Sequence, residues 1–297
     1  MKKQRIAGTL MLLLTAVIWG SAFVAQSVGM DYVGPLTFNG VRSAVGALAL
    51  IPVTLVFRDR AADKRQTVKA GLICGLIMFA ATDLQQIGIQ YTTVGKAGFI
   101  TSFYIVLVPI IGVFMKKRTG PLTWISVATA LLGLYLLCIR SGELNIGRGD
   151  VLVFGSAVLY AMHIVTVDRL SRSADAVRVS LIQFVITGVL ACALALIFER
   201  PTAAGISGAW LPLLYAGILS CGVAYTLQIV AQKRVPPTAA SLIMSLEAVV
   251  SVISGWLILR QRLSARELTG CALMLAAVIM IQLRDCDAKA DGADAKA

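Results

Sequence analysis

The sequence predicts an all-α membrane protein with ten transmembrane helices in two inverted five-helix repeats. Three observations lead to this fold class: the composition, ten long apolar runs, and matches between the two halves of the chain. The 297 residues are 58% hydrophobic and 14% charged, with a mean hydropathy of +0.84. Soluble domains are about 45–50% apolar and about 25% charged, so this composition is typical of a protein that crosses the membrane several times.

Ten apolar runs are long enough to cross a bilayer, whose ~30 Å hydrocarbon core needs about 20 helical residues. Lipid offers no partner for free backbone groups, so each run is predicted to be a helix. Short connections separate the runs, which we number as spans 1 to 10. They cover residues 6–27, 35–57, 69–90, 94–115, 121–140, 149–168, 177–198, 209–229, 237–259 and 266–284.

The two halves of the chain match at polar and aromatic positions when they are shifted by 141 or 143 residues. Each half then contains five spans, and because five is an odd number, the halves are expected to enter the membrane with opposite topology. Inverted repeats of this kind are typical of transporters whose site lies at the membrane midplane. The matched pairs are Trp19 and Tyr160, Arg42 and Gln183, Gln85 and Gln228, Ser102 and Ser245, and Tyr104 and Glu247.

The repeat divides the chain into two predicted domains, residues 1–145 and 146–284. Residues 285–297 carry four aspartates among lysines and alanines, a composition that predicts a disordered tail. Lysine and arginine in the loops predict the orientation, because cytoplasmic loops are enriched in them. With the N-terminus inside, the inner segments hold 19 of these residues and the outer segments hold 7. Both termini and the tail are therefore expected in the cytoplasm, with residues 260–266 as the one basic outer loop.

Other functional classes lack their usual patterns in this sequence. The net charge of +12 is spread over short loops and not gathered on one face, so no nucleic acid is expected as a partner. The sequence contains no CxxC motif and no Cys/His spacing typical of metal ligands, so no metal site is predicted. No phosphate loop or nucleophile–base motif stands out. We therefore expect neither an enzyme nor a cofactor, and no direct use of ATP.

Glu247 is the first candidate for a functional residue, because it lies near the centre of span 9. A charge there costs roughly 2.5–3.5 kcal/mol on insertion scales and marks a functional site by default. Tyr104 is its match in span 4, and both lie about ten residues, roughly 15 Å, into their spans. Trp19 and Tyr160 lie at a similar level. The four side chains are predicted to line a central substrate cavity; the alternative is packing between helices.

More polar side chains lie in spans 3 and 8. Asp83 and Gln86 lie on one stripe of span 3 with Gln85 beside it, and Gln228 lies in span 8 near Tyr225. Amide groups bind polar substrates or connect neighbouring helices at about 0.6 kcal/mol each, and both interpretations remain open for each glutamine.

His163, Arg42 and Asp83 are further candidates, and each has more than one possible role. His163, the one histidine of the chain, is a candidate proton relay near neutral pH or a packing residue. Arg42 and Asp83 each lie about seven residues, roughly 10 Å, from the outer ends of spans 2 and 3. Intramembrane charges usually pair, so we expect an ion pair between them. The alternative is that Arg42 binds carboxylate groups of the substrate.

Several short patterns in spans 1 to 4 and 9 resemble those of a known family. They are WGSAFV at 19–24 with Pro35 and Arg42, YT at 91–92 with GKAGFITS at 95–102 and VP at 108–109, and SLE at 245–247. These patterns resemble the EamA family of the drug/metabolite transporter superfamily, over residues 6–284. The resemblance implies ten helices in two inverted repeats, and export of small metabolites or drugs across the bacterial inner membrane.

Together, the residues and the resemblance predict a secondary transporter that works by alternating access. Its substrates are expected to be small organic solutes: amino acids, related metabolites or drugs. Glu247 would bind the substrate or a proton, which makes protons a candidate coupling ion. The alternatives are an intramembrane enzyme, such as a lipid-modifying transferase, and a non-transporting membrane sensor or assembly factor. Neither alternative explains a two-half repeat with paired midplane positions.

Overall fold

The computed structural model of the protein describes residues 2–57, 59, 61–92, 94–116, 120–138, 146–259 and 264–294. Every regular element in these ranges is helical. One of them, Tyr215–Ala224, is a π-helical segment in the middle of span 8. The α-helices are α1 (Lys2–Gly29), α2 (Pro35–Val56), α3 (Lys64–Ile89), α4 (Val94–Thr101), α5 (Tyr104–Phe114), α6 (Pro121–Cys138), α7 (Arg148–Leu170), α8 (Ala176–Phe198), α9 (Ala203–Gly208), α10 (Trp210–Leu214), α11 (Tyr225–Gln232), α12 (Pro237–Met244), α13 (Glu247–Leu259) and α14 (Ala265–Asp294).

Eight helical stretches in the described ranges are long and apolar enough to cross a membrane. They match spans 1 to 4 and 6 to 9, so the prediction of an all-helical, multi-pass membrane protein is confirmed. Span 5 contains a shorter apolar helix, Pro121–Leu136, and span 10 lies within α14. The eight stretches are Gln4–Gly29, Pro35–Val56, Lys64–Ile89, Ala97–Phe114, Arg148–Leu170, Ala176–Phe198, Trp210–Gln232 and Pro237–Ser254.

The last helix is longer than span 10. α14 continues to Asp294, into the stretch for which the sequence predicts a disordered tail. Alanine and lysine are good helix formers, and they alternate with the aspartates of this stretch, which accounts for the added helical turns. Residues 295–297 lie outside the described ranges.

Carboxylates hold the start of three helices. Asp63 and Asp175 are the N-cap residues of α3 and α8, and each side chain accepts hydrogen bonds from two backbone N–H groups. Glu199, just after α8, accepts from the backbone N–H groups of Leu36 and Thr37 at 2.9 and 2.8 Å. Such contacts satisfy donors that a helix leaves free at its start, so they fix the ends of α2, α3 and α8.

The packing of the helices sets the centre of the bundle. α3 lies against α7 and α8, α2 lies against α8, and α6 lies against α14. α1 lies against α13, the π-helical segment and α11. Gly20 allows α1 to approach α13 closely, because a Cβ atom there would stand 2.5 Å from the backbone oxygen of Glu247. α1 is therefore in backbone contact with the start of α13.

Spans 4 and 9 are each broken into two helices near the middle. The break in span 4 lies between Thr101 and Tyr104, and the break in span 9 lies between Met244 and Glu247. At both breaks a backbone N–H reaches back three residues instead of four, at 3.1 and 3.2 Å, which tightens the turn. The breaks are 143 residues apart, the shift that matches the two halves of the sequence. They place Tyr104 and Glu247 at the first positions of α5 and α13.

Candidate substrate site

A small buried cavity lies in the middle of the bundle, where spans 1 to 4, 6, 8 and 9 meet. Its volume is about 50 Å³, well below the ~300–1,000 Å³ of pockets that hold drug-sized ligands. Eight of the ten side chains that the sequence nominates for substrate binding line this cavity, and Asp83 and Gln86 do not. The eight are Trp19, Arg42, Gln85, Tyr104, Tyr160, His163, Gln228 and Glu247.

Tyr104 and Glu247 are in direct contact at the cavity wall. The Tyr104 hydroxyl donates a hydrogen bond of 2.9 Å to Oε1 of Glu247, and the two side chains are 3% and 5% exposed. Glu247 is the first residue of α13, where free N–H groups and the helix dipole favour negative charge. The matching positions of the two halves thus form one polar contact inside the membrane-crossing part of the protein.

Gln85 connects three spans at the cavity. Its Oε1 accepts a hydrogen bond of 3.0 Å from the Tyr160 hydroxyl, and its Nε2 donates to Oγ1 of Thr101 at 3.0 Å. Both ends of the amide are therefore occupied by neighbouring helices. This geometry favours a connecting role for Gln85 in the closed cavity, while its side chain still borders the cavity.

His163 lies on α7 with 1% of its surface exposed. Its Nε2 lies 3.1 Å from Oε1 of Gln183 on α8, and its ring meets Tyr225 edge to face, with 6.1 Å between ring centroids. These contacts hold the imidazole between α7, α8 and α11. The packing interpretation of His163 accounts for its partners, and its position on the cavity wall also leaves it within reach of a bound solute.

Arg42 and Asp83 do not form the expected ion pair in the described part of the chain. Oδ1 of Asp83 accepts a hydrogen bond of 2.6 Å from the side-chain amide of Asn39, which lies one turn before Arg42 on α2. Asn39 therefore occupies one oxygen of the carboxylate, whereas the buried Oδ2 of Asp83 has no hydrogen-bond partner among the described residues. Arg42 instead lines the cavity, with its guanidinium carbon 5.6 Å from the ring centroid of Phe38.

Several side chains near the site differ from the sequence prediction. Gln86 lies outside the cavity and is completely buried, with no hydrogen-bond partner for either end of its amide among the described residues. Phe23, Gln26 and Ser220 also line the cavity, although the sequence does not single them out. Gln26 follows Trp19 by seven residues, hence on the same helix face, and this spacing was the available signal. Ser220 lies in the π-helical segment, which has no sequence pattern.

Aromatic rings form one wall of the cavity. Trp19 and Tyr225 lie with their ring centroids 4.5 Å apart at an angle of 52°. Tyr225 also meets Phe184 edge to face at 5.3 Å. Offset and edge-to-face pairs are favourable arrangements for aromatic rings. The wall therefore offers an apolar surface beside the charged groups of Arg42 and Glu247.

A second, larger cavity of about 370 Å³ lies at the ends of spans that the sequence places on the cytoplasmic side. Arg172, Lys233 and Gln232 line it. Two amides separate it from the central cavity. Nε2 of Gln228 donates to Oε1 of Gln232, and Nε2 of Gln232 donates to the backbone oxygen of Ile164, each at 3.0 Å. We call Gln228 and Gln232 the amide bridge.

Helices that cross a membrane and enclose a polar cavity at its middle have the architecture of a membrane transporter. The sequence model of the EamA-like transporter family matches residues 6–139 and 147–283. The chain therefore belongs to the EamA-like transporter family, as the resemblance in spans 1 to 4 and 9 predicts.

Similar proteins are also named transporters. The chain is 30% identical over 286 residues to an uncharacterized transporter of Archaeoglobus fulgidus, covering 95% of this chain and 87% of that one. It is 22% identical over 273 residues to the uncharacterized inner membrane transporter YedA of Escherichia coli K12, covering 90% and 88%. It is 27% identical over 205 residues to an S-adenosylmethionine/S-adenosylhomocysteine transporter of Chlamydia muridarum, covering 64% and 63%. A solved crystal structure shares the fold with a TM-score of 0.79 at 19% identity, over 93% of this chain and 96% of the other.

Proposed function

We propose that the protein is a secondary transporter that exports small organic solutes across the bacterial inner membrane by alternating access, with both termini in the cytoplasm. Amino acids, related metabolites and drugs are the candidate solutes. The hydrogen bond between Tyr104 and Glu247 carries this proposal, because it joins the broken helices of both halves at the wall of one cavity. Broken helices that meet at a midplane site are how transporters with inverted repeats bind their solutes.

Ten spans in two inverted repeats, residues 1–145 and 146–284, are part of the proposal. The family model matches one stretch in each of these halves. The helix contacts also recur when each span of one half is replaced by its equivalent in the other half. The contact of α3 with α7, which joins spans 3 and 6, then corresponds to the contact of the π-helical segment with α1, which joins spans 8 and 1. Exchange leaves the contacts of α2 with α8 and of α6 with α14 unchanged. Two equivalent halves account for all of these pairs.

The small central cavity corresponds to a closed state of the transport cycle. The second cavity would be the route to the cytoplasmic side, closed from the centre by the amide bridge. In alternating access the halves move so that the centre opens to one side at a time. Opening towards the cytoplasm would therefore require the two glutamines to separate.

Glu247 is the proposed binding group for a proton or for a positively charged part of the solute. A carboxyl group at this depth carries a proton or holds a cation, because an unpaired charge there is costly. Protons and solutes would then compete for one site, which couples their movement. The compounds named for the Chlamydia relative are amino acid derivatives, which supports amino acids and related metabolites as candidates.

Flux through reconstituted vesicles tests the proposed function. The purified protein would be placed in liposomes loaded with labelled amino acids, aromatic amines or cationic dyes, with and without a pH gradient. We expect saturable flux of at least one compound that protein-free vesicles do not show. Complete absence of flux from correctly folded protein would contradict a transporter and favour a membrane enzyme, a sensor or an assembly factor.

A further inference from the structure

Arg42 is a buried cation that faces the central cavity without an anionic partner. Its surface is 5% exposed, and its Nε has no hydrogen-bond partner in the described chain. The guanidinium carbon lies 5.6 Å from the ring centroid of Phe38. Asp83, the expected partner, is instead bonded to Asn39. The guanidinium thus keeps donors available at the cavity wall.

A charge in this position needs a reason, because an uncompensated charge inside a membrane protein is costly and usually marks a substrate or ion pathway. The matching position in the second half holds Gln183, which is neutral and bonded to His163. An amide is therefore accommodated at this place in one half, while the other half keeps an arginine that opens onto the cavity.

We propose that Arg42 binds a carboxylate of the transported solute, so that the solutes carry a carboxylate group. This inference rests on the proposed transport function and names the chemical class that the cavity selects. A guanidinium offers five donors in a planar fork that fits a carboxylate through two parallel hydrogen bonds. The bound carboxylate supplies the close anionic partner that Arg42 lacks in the described structure.

Glu247 supplies the second pole of the cavity. It lines the same cavity as Arg42, and no ion pair joins the two in the described structure. A solute with a carboxylate and an ammonium group satisfies both poles at once, whereas the aromatic wall of Trp19 and Tyr225 accepts an apolar side chain. The groups that line the cavity therefore favour an amino acid with an apolar side chain over an amine or a carboxylic acid alone.

Three solutes with the same aromatic ring test the contributions of Arg42 and Glu247 separately. L-Phenylalanine carries both charges, 2-phenylethylamine lacks the carboxylate, and 3-phenylpropionate lacks the amine. L-Leucine and 3-methylbutylamine form a second matched pair. Counterflow into proteoliposomes would be measured for the parent protein and for Arg42→Gln, Arg42→Lys and Arg169→Gln. The last variant removes an exposed arginine outside the cavity and matches the charge change of Arg42→Gln.

We expect the parent to transport at least one of the amino acids with saturation. Arg42→Gln should raise its half-saturating concentration by about tenfold to a hundredfold, since hydrogen bonds to a charged group are lost. Transport of the matching amine should not weaken, because the amine has no carboxylate for Arg42 to bind and loses a like charge in the cavity. Arg42→Lys should lie between, because lysine keeps the charge without the planar fork. Arg169→Gln should behave like the parent.

Two results would overturn the inference and leave the proposed function intact. One is a parent protein that transports amines or dyes but no carboxylate-bearing solute. The other is an Arg42→Gln variant that affects the amino acid and its amine equally. A parent without any flux would remove the proposed function and the inference with it.

Thermal unfolding of Arg42→Gln distinguishes a role of Arg42 in solute binding from a role in stabilising the fold. If Arg42 serves the solute, its replacement by the amide found at position 183 should leave the unfolding temperature unchanged or raise it, because a buried unpaired charge is removed. A clearly lower unfolding temperature would assign Arg42 to the fold and contradict the inference.

Discussion

Tyr104 and Glu247 join the two broken spans through one hydrogen bond of 2.9 Å, and each is the first residue of its half-helix. The contact passes from the first half of the chain to the second. Both side chains are almost completely buried, so water does not replace the bond while the cavity is closed. In the proposed transport cycle, its strength would therefore contribute to how firmly the closed state holds the two halves together.

Tyr104→Phe removes this donor and little else. We expect the closed state to lose about 1–3 kcal/mol, because a buried acceptor is left without a partner. Thermal unfolding and amide hydrogen exchange around both breaks would measure the loss. Tyr32→Phe, the same change on an exposed side chain, is the control. If Tyr104→Phe costs the same in the parent and in a Glu247→Leu background, which has no acceptor, the two side chains are not coupled.

Glu247→Gln keeps the shape of the side chain but cannot titrate. If Glu247 couples protons to transport, the variant should still exchange solute across vesicles and should lose accumulation driven by a pH gradient. Both rates would be measured in proteoliposomes over a range of pH. A variant that accumulates solute like the parent at every pH would show that Glu247 has only a structural role.

Asn39→Ala should destabilise the protein by about 1–3 kcal/mol, because it strands the buried carboxylate of Asp83. Asp83→Asn added to Asn39→Ala should recover part of this loss, since it removes the stranded charge. Chemical or thermal unfolding in detergent would measure both effects. An Asn39→Ala variant as stable as the parent would contradict the assigned partner of Asp83.

Gln232→Leu should loosen the closed state on the cytoplasmic side, because leucine cannot bridge Gln228 and Ile164. We expect faster labelling of a cysteine placed at Thr101, on the cavity wall, by a thiol reagent supplied from the cytoplasmic face. Gln66→Leu is the matched control: Gln66 also donates to a backbone oxygen, at 3.1 Å, but lies away from the bridge. Equal labelling in both variants would show that the amide bridge does not control access.

Orientation is testable with single cysteines in a cysteine-free background. Asp31 and Ala61 are exposed in loops at opposite ends of α2, and the excess of lysine and arginine places Ala61 on the cytoplasmic side. An impermeant thiol reagent added outside intact cells should label position 31 and not position 61. The reverse pattern would refute the predicted orientation. Ala61 is preferred to Asp63, because Asp63 is the N-cap residue of α3.

Sequence reasoning found the cavity residues more reliably than their partners. Depth along a helix follows from counting residues, so the sequence predicts that Tyr104 and Glu247 lie at one level and line one cavity, but not that they contact each other. The direction of a side chain around its helix is not fixed by depth. Arg42 and Asp83 were therefore paired at equal depth, although Asn39, one turn away, reaches the carboxylate.

Backbone irregularities left no signal that hydropathy detects. The breaks in spans 4 and 9 arise from a change of hydrogen-bond spacing within apolar runs, and no proline marks either turn. The π-helical segment of span 8 likewise lies in a continuous apolar run. These features depend on how neighbouring helices pack, which a single sequence does not display.

The contact at Gly20 ties the cavity wall to the break in span 9. A methyl group there would collide with the backbone oxygen of Glu247 and with the side chain of Val250, so the absence of a side chain at position 20 lets α1 lie directly against the start of α13. Trp19, the next residue on α1, is carried with this contact. A displacement of α13 relative to α1 would therefore press on the turn of α1 that carries Trp19, so we expect the carboxylate of Glu247 and the aromatic wall to respond to the same movement.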